Sequence, residues 1–325
     1  MKIGIFDLND CPYSSRNGSY GGVAGDKDGI LFRDENWIVK YPKTNVGMSK
    51  ASKLAKISYG PLSEFLGSHI YKILGYDVHE TILGIRKNFL VVACKDFCQG
   101  ETRLHEIRTV KNVHVPDLQK RLGIELHETG DDYLISLKEL FLHFSFNPEL
   151  KNIKGLEKRF WDQTIIDGLI GNNDRNNGNW GILIDNGSKR LAPIFDNGAS
   201  FYPKKSEESI KKFLLKPQDE RRKDESNVII PYTLDGRHHL NYRNLLHLRE
   251  DEIGKANRSI LEDSILDNFD RIKSNFGNIE DLFDSIPEKH GDVEILTKAR
   301  KQYYLESFKN RFKDVLTPIV QQIRG

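Results

Sequence analysis

The stretch Gly168–Asp185, GLIGNNDRNNGNWGILID, decides how this chain is read. An apolar segment of helical spacing, FWDQTIIDGLI, leads into it, and WGILI at its end reads as a strand. Between Asn172 and Asn179 five of eight residues are asparagine, and the sole acid is Asp174. Alone, such a loop is ordinarily structural, because Asn tolerates left-handed backbone and caps helices. The hairpin that follows changes its meaning. A strand over 180–184, a turn over 185–189 and a strand over 191–195 return the chain to its start and deliver Asp196 in PIFDNG. Asp174, Asn179 and Asp196 can then converge at one end of the hairpin. Asn and Asp are the hard oxygen ligands that Mg²⁺ prefers. A further, unligated carboxylate can orient a hydroxyl nucleophile, and that division of labour belongs to phosphoryl transfer.

The amino-terminal part offers the complementary half. Lys40 lies in the β-branched strand WIVKYP, placed to neutralise phosphate oxygens. A helix is expected from Pro61, a favoured first-turn residue, to Gly75, a favoured stop. Glu64 on that helix can hold the lysine, although the apolar stripe of Leu62, Phe65, Leu66 and Ile70 directs it towards solvent. The loop NGSYGGVAGDKDG (17–29) supplies small residues whose backbone N–H groups can approach phosphates. It lacks the G-K-[ST] ending of a Walker A loop. A strand over 88–97 then runs into CKDFCQG, a connection whose backbone can meet adenine.

The totals set bounds on this reading. A chain of 325 residues suggests two domains or one domain of two lobes. Its net charge of +2 implies no general attraction to nucleic acid or membrane. Three cysteines are too few for a disulfide framework. Cys94 and Cys98, with no His or Cys nearby in sequence, read as buried thiols rather than metal ligands. The adjacent His238 and His239 are unpersuasive as ligands, since neighbours on an extended chain point opposite ways. The opening MKIGIFDLND is not a secretory signal, and nothing approaches the ~20 apolar residues of a membrane span, so a cytoplasmic location is the default expectation.

Organisation follows the same division. Residues 1–97 are expected to form a β-rich lobe, with strands at 3–6, on both sides of the turn 33–36, at 78–85 and at 88–97, and with one main helix. Residues 98–325 read as mainly helical, with periodic segments at 117–123, 136–145, 155–170, 241–247, 257–275 and 294–323, interrupted only by the 180–195 hairpin. The stretch 203–226 carries eight Lys/Arg and six Asp/Glu with few apolar anchors, and reads as a mobile surface segment.

These motifs resemble the HipA-like serine/threonine kinases. SEFLGSHIYKILGYDV (63–78) is similar to that family's helix, GNNDRNNGNWGILI to its N-x-D-R-x-x-x-N catalytic loop, and PIFDNG to its metal-binding acid. The resemblance spans about residues 15–200 and implies an α+β, protein-kinase-like bilobal fold. It makes Asp174 the catalytic base, Asn179 and Asp196 the Mg²⁺ ligands, and Lys40 the α/β-phosphate contact with Glu64 as its partner. ATP would be covered by Ser19, Tyr20, Gly21, Gly22 and Val23 and flanked by Ile38 and Phe195. Cys94, Lys95, Asp96 and Phe97 would line the adenine. The family often has His two residues after the catalytic Asp, whereas this chain has Asn176; an amide carries no full charge, so Arg175 or a loop lysine must serve.

The implied function is ATP- and Mg²⁺-dependent transfer of a γ-phosphoryl group to Ser or Thr of a protein, with autophosphorylation, Ser19 being a candidate site. The implied partner is a protein substrate, with no direct nucleic-acid binding and a monomeric state. The resemblance adds the expectation of secretion and translocation into host cells. Two other readings compete: a small-molecule or phosphoinositide kinase, whose D-R-x-x-x-N loop DRNNGN also fits, and a non-catalytic pseudokinase module.

Overall fold

A computed structural model describes residues 3–18, 27–44, 54–98, 100–130, 134–226 and 228–325. The phosphate-covering residues expected at Ser19, Tyr20, Gly21, Gly22 and Val23 lie outside the described residues. The chain divides into two compact units, one comprising Met1–Phe97, Asn197–Glu225 and Ile272–Asn310, the other Cys98–Asp196, Ser226–Arg271 and Arg311–Gly325.

The first unit is built on a five-stranded sheet of β1 (Phe6–Asp7), β2 (Lys27–Phe32), β3 (Glu35–Lys40), β4 (Thr81–Arg86) and β5 (Phe89–Lys95), ordered β1-β4-β5-β3-β2. β1 pairs with β4 in parallel, and the other pairs are antiparallel. Arg33 and Asp34 at the β2–β3 turn, and Lys87 and Asn88 at the β4–β5 turn, all take positive φ. Such two-residue turns match the twist of the strands they join. Alternation along the strands sorts the faces. Trp37, Val39, Val91 and Ala93 join Leu8 and Ile30 in one buried cluster. The register that pairs Ile38 with Cys94 and Lys40 with Val92 turns those residues to the opposite face.

Helix α1 (Gly60–Ile73) packs on β4 and β5 and, at the far side, on the helix Phe276–Ser285. It is buried on nearly every side, Glu64 included. Gly67 explains how: a Cβ there would lie 2.7 Å from Asn197 Cβ, so a segment distant in sequence presses against the helix where a side chain would block it. The segment expected to be mobile, 203–226, instead contains the helices Glu207–Leu214 and Gln218–Ser226. Ser206 caps the first of these by accepting from the Ser209 amide. Ile210 and Phe213, three residues apart on one face, are its buried anchors. Glu207 binds the buried Arg300 at 2.6 Å.

The second unit holds α2 (Ile107–Leu122), α3 (Leu137–Phe146) and α4 (Leu156–Ile170), besides later helices. Its strands exceed the single hairpin that the sequence suggested. β6 (Arg103–Glu106) adds to the hairpin of β8 (Gly181–Asp185) and β9 (Ser188–Leu191), while β7 (Ile135–Ser136) pairs with β10 (Ile229–Thr233), which also pairs with β11 (His239–Asn241). Each added strand is short, and none carries an alternation long enough to read. The β8–β9 turn uses Asn186 and Gly187, both at positive φ, the favoured pair for a two-residue hairpin. Phe141, Phe144, Phe160, Trp161 and Trp180 pack ring against ring beneath these elements. Among the described residues no helix is long and apolar enough to cross a membrane.

Candidate functional site

In the first unit, the end of β3 brings Lys40 Nζ to 2.8 Å from Glu64 Oε2. The lysine is one-fifth exposed and the glutamate is 1 % exposed, so the pair is shielded on the acid's side. The apolar stripe had directed Glu64 to solvent; its burial comes from the cover supplied by Asn197 and Gly198, which no local pattern of the helix encodes. Its other oxygen, Oε1, accepts from the Asn197 amide at 2.9 Å and faces His79 Nε2 at 3.0 Å. Burial alone would raise the carboxyl pKa, but the Lys40 ammonium and the His79 hydrogen bond outweigh it and hold Glu64 well below the usual range. Glu64 is therefore a fixed anion with three partners.

The connection after β5 is more committed than its sequence suggested. The Lys95 amide donates to Glu80 O at 2.8 Å and the Asp96 amide to Asn36 O at 2.9 Å. Asp96 is buried and pairs with Arg16 at 2.5 Å, and the Lys95 side chain pairs with Glu35 at 2.6 Å. Both backbone donors are thus used within the protein. Cys94 is buried opposite Ile38 in the sheet, while Phe97 and Cys98 are half-buried.

In the second unit, α4 ends on Gly171 at φ 70°, a left-handed C-terminal cap, and the loop begins at once. Asp174 is exposed, with its backbone carbonyl accepting from Asn176 N at 2.8 Å and from Asn179 Nδ2 at 2.5 Å. Donation through Nδ2 turns the Asn179 Oδ1 away from that bond and leaves it as the side chain's acceptor. Arg175 behaves differently from the sequence expectation. It is 1 % exposed and points inward: Nε donates to Asp167 Oδ2 at 2.8 Å, Nη2 to Asp167 Oδ1 at 3.3 Å, and Nη1 to the Asn179 carbonyl at 2.7 Å and to the Phe195 carbonyl. A guanidinium so engaged cannot also neutralise a phosphate. It instead ties the two ends of the hairpin together, bringing Asn179 beside the residue that precedes Asp196.

Asp167 is the residue that sequence reading missed. It sits in the apolar run TIIDGLI, and an acid buried in such a run is itself the signal that a cation must meet it. Asn172 reinforces the arrangement by donating Nδ2 to Asp167 Oδ1 at 3.0 Å. Asp196 takes φ 62°, a left-handed conformation that costs a non-glycine residue about 1–3 kcal/mol and that Asp tolerates better than most.

A second residue that sequence reading did not single out meets Asn176. Arg108, in the first turn of α2, donates Nη2 to Asn176 Oδ1 at 3.2 Å, and its own amide donates to the Asn177 carbonyl at 2.7 Å. Asn176 Nδ2 in turn donates to Asp174 Oδ1 at 3.2 Å. The amide thereby links a guanidinium to the exposed carboxylate. Arg108 lies more than sixty residues from the loop in sequence, and nothing in its surroundings marks it.

Comparison with known proteins bears on these arrangements. No family model matches the chain. Over 201 residues it is 37 % identical to the serine/threonine-protein kinase CtkA of Helicobacter pylori. The chain is related to a protein kinase. The match takes in 61 % of this chain and 56 % of that relative's length. The fold extends the resemblance beyond the matched stretch: the crystal structure of a Helicobacter pylori proinflammatory kinase CtkA superposes with a TM-score of 0.77 at 24 % identity, covering 99 % of this chain and 98 % of that one. HipA of Shewanella oneidensis MR-1, solved with HipB and its operator DNA, superposes with a TM-score of 0.55 at 13 % identity, over 98 % of this chain and 70 % of that one. The mixed α+β, HipA-like kinase fold read from the motifs is the fold of the chain, as it is of CtkA and HipA.

Proposed function

We propose that this chain is an ATP- and Mg²⁺-dependent protein kinase that transfers the γ-phosphoryl group of ATP to Ser or Thr hydroxyls. The observation that carries the reading is the shielded Lys40–Glu64 pair at 2.8 Å, the arrangement that kinases require to hold the α- and β-phosphates. The relation to CtkA supports the same reaction class and a protein as acceptor.

The donor set fits the implied metal. Asn179 Oδ1 and the Asp196 carboxylate are both hard oxygens, the donor type that Mg²⁺ prefers. When bound, Mg²⁺ supplies charge neutralisation for the phosphates. Lys40 contacts the α/β-phosphates while Glu64 fixes its ammonium. Within the first unit, Ile38 packs against the nucleotide, with Cys94 and Phe97 nearest the base. Asp174 is exposed and accepts the proton of the acceptor hydroxyl as that oxygen bonds to the γ-phosphorus and the bridging P–O bond breaks, releasing ADP. Arg108, held against Asn176, supplies the positive charge that the loop's own sequence lacks, and Arg175 acts as a brace rather than a phosphate contact.

Labelling with γ-³²P-ATP tests the reading. Incorporation into serine or threonine of a protein panel, lost in Asp174→Asn, is the expected result; label appearing only in lipid or aminoglycoside acceptors overturns the protein assignment. Retention of full cellular activity by Asp174→Asn with normal nucleotide binding overturns catalysis as the function.

A further inference from the structure

Glu64 is bordered by two residues the proposed reaction does not use as chemistry. Its carboxylate, the imidazole of His79 and the thiol of Cys94 lie together in the first unit, their ligand atoms all within 4.8 Å of one another, and all three are buried. They come from three elements: α1, the segment entering β4, and β5. The sequence showed no histidine near Cys94, because His79 reaches it only through the β4–β5 pairing, in which Thr81 stands opposite Cys94.

From these residues the geometry points to a binding site for a borderline-soft divalent cation, Zn²⁺ by chemistry, held by Cys94 Sγ, His79 Nε2 and Glu64 Oε1. One sulfur, one imidazole nitrogen and one carboxylate oxygen form a mixed set that Zn²⁺ accepts, the sulfur and nitrogen being donors that Mg²⁺ disfavours, and three protein ligands leave a fourth position open. Orientation supports the assignment. His79 Nε2 is already turned to Glu64 Oε1 at 3.0 Å, on the carboxylate oxygen that Lys40 does not occupy. Ser68 Oγ, 3.0 Å from the same nitrogen, is the group that would give up its contact. Binding converts the Cys94 thiol to thiolate and releases its proton to solvent.

The position of the site gives it a consequence. A divalent charge on Glu64 Oε1 neutralises the carboxylate that attracts Lys40 and repels the ammonium 2.8 Å from the other oxygen. Zn²⁺ and nucleotide therefore oppose one another, a weakening of about ten-fold or more that must be reciprocal. This antagonism rests on the proposed role of Lys40 in holding ATP; the metal site does not.

The test separates the two. In Cys11→Ser/Cys98→Ser protein without nucleotide, Co²⁺ should enter at one ion per chain with a thiolate-to-cobalt charge-transfer band, and Cys94→Ser added to that background should abolish the band. X-ray absorption of the Zn²⁺-loaded double variant should show one sulfur at about 2.3 Å, a measurement that needs no change at the site. Absence of stoichiometric uptake, or a metal shell without sulfur, overturns the site. If the metal binds as described but ATP affinity does not fall, the antagonism is overturned while the site stands.

Discussion

The backbone amide of Asn197 donates to Glu64 Oε1 at 2.9 Å, so the residue after Asp196 is bonded to the partner of Lys40. Asn197 is fully buried and adds a second bond, from its Nδ2 to Ser68 Oγ at 2.9 Å, one turn along α1. Glycine at position 67 permits both, since a Cβ there would meet Asn197 Cβ at 2.7 Å and Ser200 Oγ at 2.9 Å. Gly67→Val should force the segment off the helix and lower stability by about 1–3 kcal/mol, the usual range for overpacking. Urea denaturation measures it, and ATP affinity should fall alongside, because Glu64 loses a donor that fixes it.

Removal of the Asp174 carboxylate should separate binding from chemistry. Asp174 is exposed, and among the described residues its side chain accepts a hydrogen bond from Asn176 alone, so Asp174→Asn leaves the loop intact. Phosphoryl transfer should drop by about 10²–10⁴-fold, while fluorescence titration finds nucleotide affinity within a few-fold of wild type.

Arg108 offers a sharper discrimination. With Nη2 at 3.2 Å from Asn176 Oδ1, its charge reaches the loop through an amide. Arg108→Ala should reduce the turnover rate by about 10²-fold, a magnitude typical of losing one electrostatic stabiliser. Placing a cation directly on the loop with Asn176→Lys should recover part of that loss in the Arg108→Ala background. A structural role for Arg108 alone would lower the melting temperature and allow no such rescue.

The Lys40–Glu64 pair predicts a direction with pH. Glu64 has its carboxyl held below its unfolded value, so the unfolded chain binds the extra proton in acid. Its contribution is fully present above the unfolded value near 4.3 and is lost as pH falls below it. Lys40→Met removes the nearest cation from a buried carboxylate and should cost about 3 kcal/mol at neutral pH. The variant should also show a shallower loss of stability between neutral pH and pH 3, read from denaturation curves at a series of pH values.

Much of the fold that carries the candidate site could be read from residue order, and what could not has identifiable causes. Asp174, Asn179 and the hairpin were legible because a turn between two strands fixes where the chain returns. The Lys40 strand and helix α1 were legible from β-branched residues and apolar spacing. The direction of Glu64 was misread, since helical periodicity reports which face a helix buries locally, and its cover arrives from Asn197, 133 residues away. Arg175 was misassigned for a related reason: a charged residue in a polar loop looks available, and only the buried Asp167 eight residues earlier claims it. Arg108 and His79 carry no local signal, as each gains its partners through strand and helix packing rather than spacing. In the stretch 203–226, charge density obscured Ile210 and Phe213, whose spacing was present in the letters but short.

The division of the first unit among three stretches of chain bears on how the protein is made. Its sheet and α1 leave the ribosome long before Asn197–Glu225 and Ile272–Asn310, the stretches that complete the unit. At synthesis rates of about 5–20 residues per second, the nascent α1 spends seconds without the cover for Gly67 and without the helix Phe276–Ser285. During that interval its apolar faces are open to chaperones or to premature association, and the unit can lock only once the late segments arrive. An amino-terminal fragment ending at Phe97 would remain in that waiting state.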